Sequence, residues 1–176
     1  MNLIVHDFLL NNKINKKYIC KNQGGLNFTP KISWTKVKNA VSYAFIIEDP
    51  DTQSGSFIHW YIPYISKDIQ EIDHLLLDSI NNLNINKFNK HNSIKIFNGK
   101  NSLGELGYHG PCAPNKTGIH RYIFTIYALN SLLEIDKNNI EITDNKNFCN
   151  ILEKAGIIIL NQKSITFEYS YKKFSS

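Results

Sequence analysis

Residues 107–129 read GYHGPCAPNKTGIHRYIFTIYAL, and the two halves of this stretch obey different rules. The first half spaces Gly107, Gly110 and Gly118 around Pro111 and Pro114. Glycine allows close backbone approach and positive φ, and proline fixes φ and removes a donor, so the pattern predicts a stiff loop. The second half alternates. His120, Tyr122, Phe124 and Ile126 fall on one face, and Ile119, Arg121, Ile123 and Thr125 on the other. Period two predicts a strand, and apolar residues on both faces beyond its first turn make it a central one.

Working outward, Val41 to Glu48 (VSYAFIIE) is dense in β-branched and aromatic residues and runs into Asp49-Pro50-Asp51, which predicts a buried strand entering a turn. Phe57 to Pro63 (FIHWYIP) alternates His59 and Tyr61 against Ile58, Trp60 and Ile62, which predicts one core face and one face of polar tips. From Asp144 to Leu160 the spacing of Phe148, Ile151, Leu152, Ala155 and Ile159 predicts one helix, capped by Thr143 or Asp144. Ser164 to Tyr171 alternates again, as a last strand with one wet face. His74 to Leu83 is compatible with a short helix or an irregular excursion, and periodicity does not decide between them.

With 176 residues and no internal repeat or linker-like stretch, the expectation is one domain over 1–176. Hydrophobic residues at 42% and charged residues at 20% match a globular chain and exclude a disordered class. The best apolar run, Ala155 to Leu160, is far below the roughly 18 to 20 residues that cross a bilayer. His6 and Asp7 interrupt the first apolar stretch, which argues against a signal peptide. A cytoplasmic protein without stable membrane insertion is expected. Cys20, Cys112 and Cys149 are odd in number and far apart, which reads as reduced thiols and excludes a structural zinc site. The net charge of +5 is spread among Asn, Ile and acidic residues with no basic stripe, so no nucleic-acid partner is expected. Asn81 to Asn101 and Asp136 to Asn150 are close to low complexity. Against this lysine-rich background Arg121 is the only arginine, which marks a position where a planar two-pronged donor is needed.

Two clusters carry polar chemistry. One is Glu48-Asp49-Pro50-Asp51 followed by His59-Trp60, and the other is the Gly107 to Tyr122 loop. Taken singly, each piece has a plainer explanation: Asp-Pro-Asp forms a turn, an isolated histidine is more often structural, Tyr122 fills a core and Arg121 makes an ion pair. Order and spacing together change the weighting. DPD, then HWxxxIP, then GYxGPxxPxxxGxHRYxFxxYAL resembles the phosphatidylethanolamine-binding family, which includes the Raf kinase inhibitor proteins and bacterial relatives. Phe28-Thr29-Pro30-Lys31-Ile32-Ser33-Trp34 is similar to the family's SPxLxW segment, so the resemblance covers roughly residues 25 to 172.

The resemblance implies an antiparallel β-sandwich with a few peripheral helices, one of them near the C-terminus, and a small pocket built from the two clusters. Family pocket residues carry over to Asp49, His59, Gly110, Pro111, His120 and Tyr122. Pro50, Asp51, Trp60, Gly118 and Arg121 support that pocket, with Asp51 and Arg121 as a locking pair. Two departures alter the rim: Thr52-Gln53 follow Asp51 where the family continues with Ala-Pro, and Cys112-Ala113-Pro114 stand where the family has a Pro-Pro pair.

The expected function is binding of an anionic or phosphate-bearing ligand, a phospholipid headgroup or a phosphorylated group, by His59, His120, the Tyr122 hydroxyl and loop amides near Gly110. Asp49 sets an imidazole tautomer. Histidine protonation would then strengthen binding from about pH 8 toward 6. The resemblance also implies a protein partner such as a kinase. No cofactor or metal is expected. The alternative is a metal-dependent or acid-base hydrolase using the same His/Asp pocket; the absence of a nucleophile elbow, HExxH or P-loop counts against it.

Overall fold

The computed structural model describes residues 1–73, 96–133 and 141–171, and the undecided His74 to Leu83 stretch lies outside them. A small sheet comes first. β1 (Leu3–Val5) pairs antiparallel with β4 (Ile32–Trp34), which pairs with β7 (Glu71–Ile72). Between the first two, β2 (Leu9–Leu10) and β3 (Lys13–Ile14) form a hairpin, followed by 3₁₀ turns at Lys16–Tyr18 and Lys21–Gln23.

The large sheet holds β5 (Ser42–Asp49), β6 (Phe57–Ser66), β8 (Ile96–Phe97), β9 (His120–Leu129) and β10 (Ile159–Tyr169), in the order β10-β9-β5-β6-β8. All of its pairings are antiparallel. The expected central strand β9 has β5 on one side and β10 on the other. Every residue of β5 is buried. One face of the sheet packs Tyr43, Phe45, Trp60, Phe124 and Ile126 against Leu3, Ile32, Trp34 and Ile72 of the small sheet. The opposite face packs Ala44, Ile46, Ile58, Tyr61 and Tyr127 against Phe148 and Leu152 of the helix α1 (Asn145–Lys154). The result is a mostly β, layered antiparallel fold with a helix near the C-terminus, as the sequence implied.

Three expectations need correcting. Ile58 through Ile62 are all buried, so β6 has two core faces and no row of exposed polar tips. The cause is tertiary, because α1 covers the face that the pattern left to solvent. A register shift between Ile47/Trp60 and Glu48/Ile58 also makes His59 the extra residue of a bulge. Ile58 therefore faces α1 while Trp60 joins the other core. Finally, the helix stops at Lys154 and does not reach Leu160. Gly156 takes the left-handed conformation at φ 69° and Ile159 already belongs to β10, so the last strand starts five residues before Ser164.

The start of α1 is set by two carboxylates. Asp144 Oδ1 accepts the Asn147 amide at 2.6 Å as the helix cap. Glu48, at the end of β5, accepts the Asn145 amide at 3.0 Å together with the Asn145 side chain. The same chain position that ends a strand therefore anchors the helix on one face and, one residue later, offers Asp49 to the other.

Candidate functional site

Asp49 ends β5, His59 occupies the bulge in β6, and His120 and Tyr122 begin β9. These ends lie side by side because β5 pairs with both β6 and β9. The 107–118 loop closes over them: His109 N–H donates to the His59 carbonyl at 2.8 Å, and Cys112 N–H donates to the Tyr122 hydroxyl at 3.3 Å.

Asp49 is fully engaged. Its Oδ1 accepts the Asp51 amide at 2.9 Å, and its Oδ2 accepts His120 Nδ1–H at 2.7 Å, with both side chains 3% exposed. The other ring nitrogen of His120 lies 2.9 Å from Thr117 Oγ1, which donates to the Pro114 carbonyl at 2.8 Å. Asp49 thus positions His120, and Thr117 closes the ring's second side.

His59 is set differently. Its Nδ1–H donates to the His109 carbonyl at 2.8 Å, which leaves Nε2 as the nitrogen with the lone pair. Burial drives its pKa down to about 3. The ring lies against Phe57, Tyr122 and His109 at centroid distances of 4.7, 5.0 and 5.9 Å. Burial also lowers His109. His59 is therefore neutral between pH 8 and 6, and the expected strengthening of anion binding by its protonation over that interval does not hold. Burial, followed by the Asp49 charge, raises Tyr122, so its hydroxyl stays a donor.

Asp51 and Arg121 form a two-pronged pair. Nε donates to Oδ2 at 2.8 Å and Nη2 to Oδ1 at 2.6 Å, and the Arg121 amide adds a third bond to Oδ2 at 2.9 Å. The guanidinium hydrogen bonds hold the Asp51 carboxyl down at about 2. The pair ties the Asp-Pro-Asp turn to the start of β9 and takes no part in the cluster of rings. Trp60 is fully buried, and its Nε1–H donates to Asn98 at 3.0 Å. Gly118, at φ 94°, supplies a conformation that side chains disfavour just before His120.

The N-terminal segment forms the back of the loop, which the sequence did not reveal. Asn27, itself left-handed at φ 58°, accepts the Gly110 amide on its Oδ1 at 2.7 Å. That amide is consequently occupied within the chain. The Pro111 carbonyl accepts the Cys20 amide at 3.1 Å, and the Tyr108 hydroxyl donates to the Tyr18 carbonyl at 2.8 Å. A Cβ on Gly110 would meet the Tyr18 carbonyl oxygen at 2.2 Å. Most directly, Cys20 and Cys112 are joined in a disulfide across 92 residues. The expectation of reduced thiols fails for these two because spacing along the chain says nothing about a contact made by a returning loop; Cys149 is free. Among the described residues, no three His, Cys, Asp or Glu side chains converge in a metal-ligating group.

A layered antiparallel β fold thus gathers an Asp, two His and a Tyr under a Gly-Pro loop. The sequence pattern of the phosphatidylethanolamine-binding protein family matches residues 5–170, and the chain belongs to that family. It is 35% identical over 137 residues to a UPF0098 protein of Methanothermobacter thermautotrophicus, covering 77% of this chain and 81% of that one. A phosphatidylethanolamine-binding protein homologue from Chlamydia trachomatis superposes with a TM-score of 0.67 at 25% identity, covering 97% of each chain. Escherichia coli YbcL, described as a member of the mammalian family, shares the fold with a TM-score of 0.72 at 20% identity, covering 97% and 98%. Among the described residues no helix is long and apolar enough to cross a membrane.

Proposed function

We propose that the cluster of His59, His120, Tyr122 and the 107–113 loop binds the phosphate group of a small ligand. The observation that carries this reading is the tautomer of His59. With Nδ1–H on the His109 carbonyl and protonation disfavoured by burial, the ring meets a ligand through the Nε2 lone pair. A ligand must supply a proton there and accept one from the Tyr122 hydroxyl. A hydrogen-phosphate monoester does both through P–OH and P–O⁻; sulfate, with no proton near neutral pH, does not. Asp49 and Thr117 hold the His120 ring as one wall, and Arg121 with Asp51 fixes the turn that carries Asp49.

Binding of a phosphate monoester strengthens as pH falls from about 8 toward 6 because its dianion takes up a proton near 6, while His59 stays neutral. Isothermal titration of inorganic phosphate, phosphoethanolamine and sulfate at pH 6 and 8 tests this. Phosphoethanolamine that binds tighter at pH 6 than at pH 8, with inorganic phosphate above sulfate at both, supports it. Equal affinity for sulfate and phosphate contradicts it. Phosphoethanolamine binding over phosphate favours a headgroup source, and binding of a phosphopeptide alone favours a regulatory, kinase-inhibitor-like role. A cytoplasmic location carries one condition: cytoplasmic thiols keep accessible disulfides reduced, so Cys20 and Cys112 would stand open there.

A further inference from the structure

The Cys20–Cys112 bond is asymmetric, because Cys20 is buried at 1% exposure and Cys112 is partly exposed. Exchange requires a thiolate to reach one sulfur, and Cys112 is the more exposed of the two residues. The bond also sits where its opening changes the pocket. Cys112 donates its amide to the Tyr122 hydroxyl, while the residues around it hold the N-terminal segment through Pro111 to Cys20, Gly110 to Asn27 and Gln23 to Ala113.

We infer that Cys112 is a thiol-modification site: a small cytoplasmic-type thiol such as glutathione attacks its sulfur and remains there as a mixed disulfide, loosening the pocket loop. The thiolate RS⁻ forms an S–S bond to Cys112 Sγ, and the Cys20 sulfur leaves as a thiolate and takes a proton. A second RSH then attacks the mixed disulfide. It releases Cys112 as a thiol and the oxidised thiol RSSR, so two RSH reduce the pair by two electrons. The adduct has no room inside the packed junction of loop and segment, where even a Cβ on Gly110 would lie 2.2 Å from the Tyr18 carbonyl oxygen. It must swing Cys112 outward and draw its amide from Tyr122. The consequence for the ligand rests on the phosphate reading above; the modification does not.

The test uses the full chain incubated in glutathione buffers of graded redox ratio, with intact mass, peptide mapping and amide hydrogen exchange. The expected result is one glutathione on Cys112, none on Cys20, and exchange of the 108–113 amides faster by about tenfold or more while β5 and β9 amides are unchanged. Reductant restores two thiols and removes the adduct. An adduct on Cys20 or only on Cys149, or an adduct on Cys112 with unaltered loop exchange, overturns the inference. If the untreated protein binds no phosphate, the pocket reading falls, and mass and exchange still decide this one.

Discussion

Replacing Gly110 with alanine tests the junction on which the pocket loop rests. The new methyl carbon would stand 2.2 Å from the Tyr18 carbonyl oxygen and 2.8 Å from both the Cys20 nitrogen and the Ile19 carbonyl carbon. All three are backbone atoms, so no rotamer change relieves the clash. The loop and the 18–20 segment must part by roughly 1 Å to reach contact distance. Overpacking of this kind costs about 1–3 kcal/mol. The parting also stretches the Gly110–Asn27 and Cys20–Pro111 hydrogen bonds, of 2.7 and 3.1 Å. Each contributes about 1 kcal/mol, so the summed loss is about 3–5 kcal/mol. For a chain of this size that lowers Tm by roughly 6–20 °C. Thermal unfolding followed by circular dichroism, without reductant, reads the shift directly. Gly104→Ala is the comparator: at φ 77° with nothing within 4 Å, it adds backbone strain alone, about 1 kcal/mol. A Gly110→Ala protein within 2 °C of the wild type, or no less stable than Gly104→Ala, would refute the packing of loop on segment.

Three further outcomes follow from the same geometry. Phe148→Ala empties the core between α1 and the sheet and should lower stability in urea by about 3–5 kcal/mol while leaving phosphate affinity unchanged, since that core lies on the opposite face from the pocket. Asp49→Asn keeps the shape but removes the charge from a pair buried at 3% exposure, and should cost about 3 kcal/mol in urea and weaken phosphate at least tenfold in titration. The folded-state pKa of His59, about 3, lies below its unfolded value near 6.5, so the unfolded chain binds the extra proton between those values. The stability His59 contributes is therefore complete above about pH 6.5 and is lost as pH falls toward 3, with a slope approaching 1.4 kcal/mol per unit. Urea unfolding from pH 7 to 4 should show this fall, and His59→Phe should flatten it.

The strands and the two polar clusters at their ends were legible because their signals are local. Alternation in 119–129 marks β9, and Gly, Pro, Asp and His at the strand ends mark the loop chemistry. Arg121 stood out against a lysine background, and the fork to Asp51 is what lysine cannot make. What escaped reading depends on contacts across long sequence separations. Burial of both faces of β6 follows from α1, more than 80 residues later in the chain. The bulge at His59 reverses the facing of Ile58 and leaves no trace in the alternation. Asn27 and Cys20 reach the loop from about 83 and 92 residues away. Gly156, by contrast, was a readable helix stop, and the apolar spacing that continued to Ile159 masked it.

The most direct test of the central claim is a crystal structure grown with inorganic phosphate at pH 6. The account predicts tetrahedral density bounded by His59 Nε2, the Tyr122 hydroxyl and the His120 ring, with the His59–His109 and His120–Asp49 hydrogen bonds kept at 2.8 and 2.7 Å. Well-ordered crystals with phosphate bound only elsewhere, or with His59 turned so that Nδ1 leaves the His109 carbonyl, would contradict it.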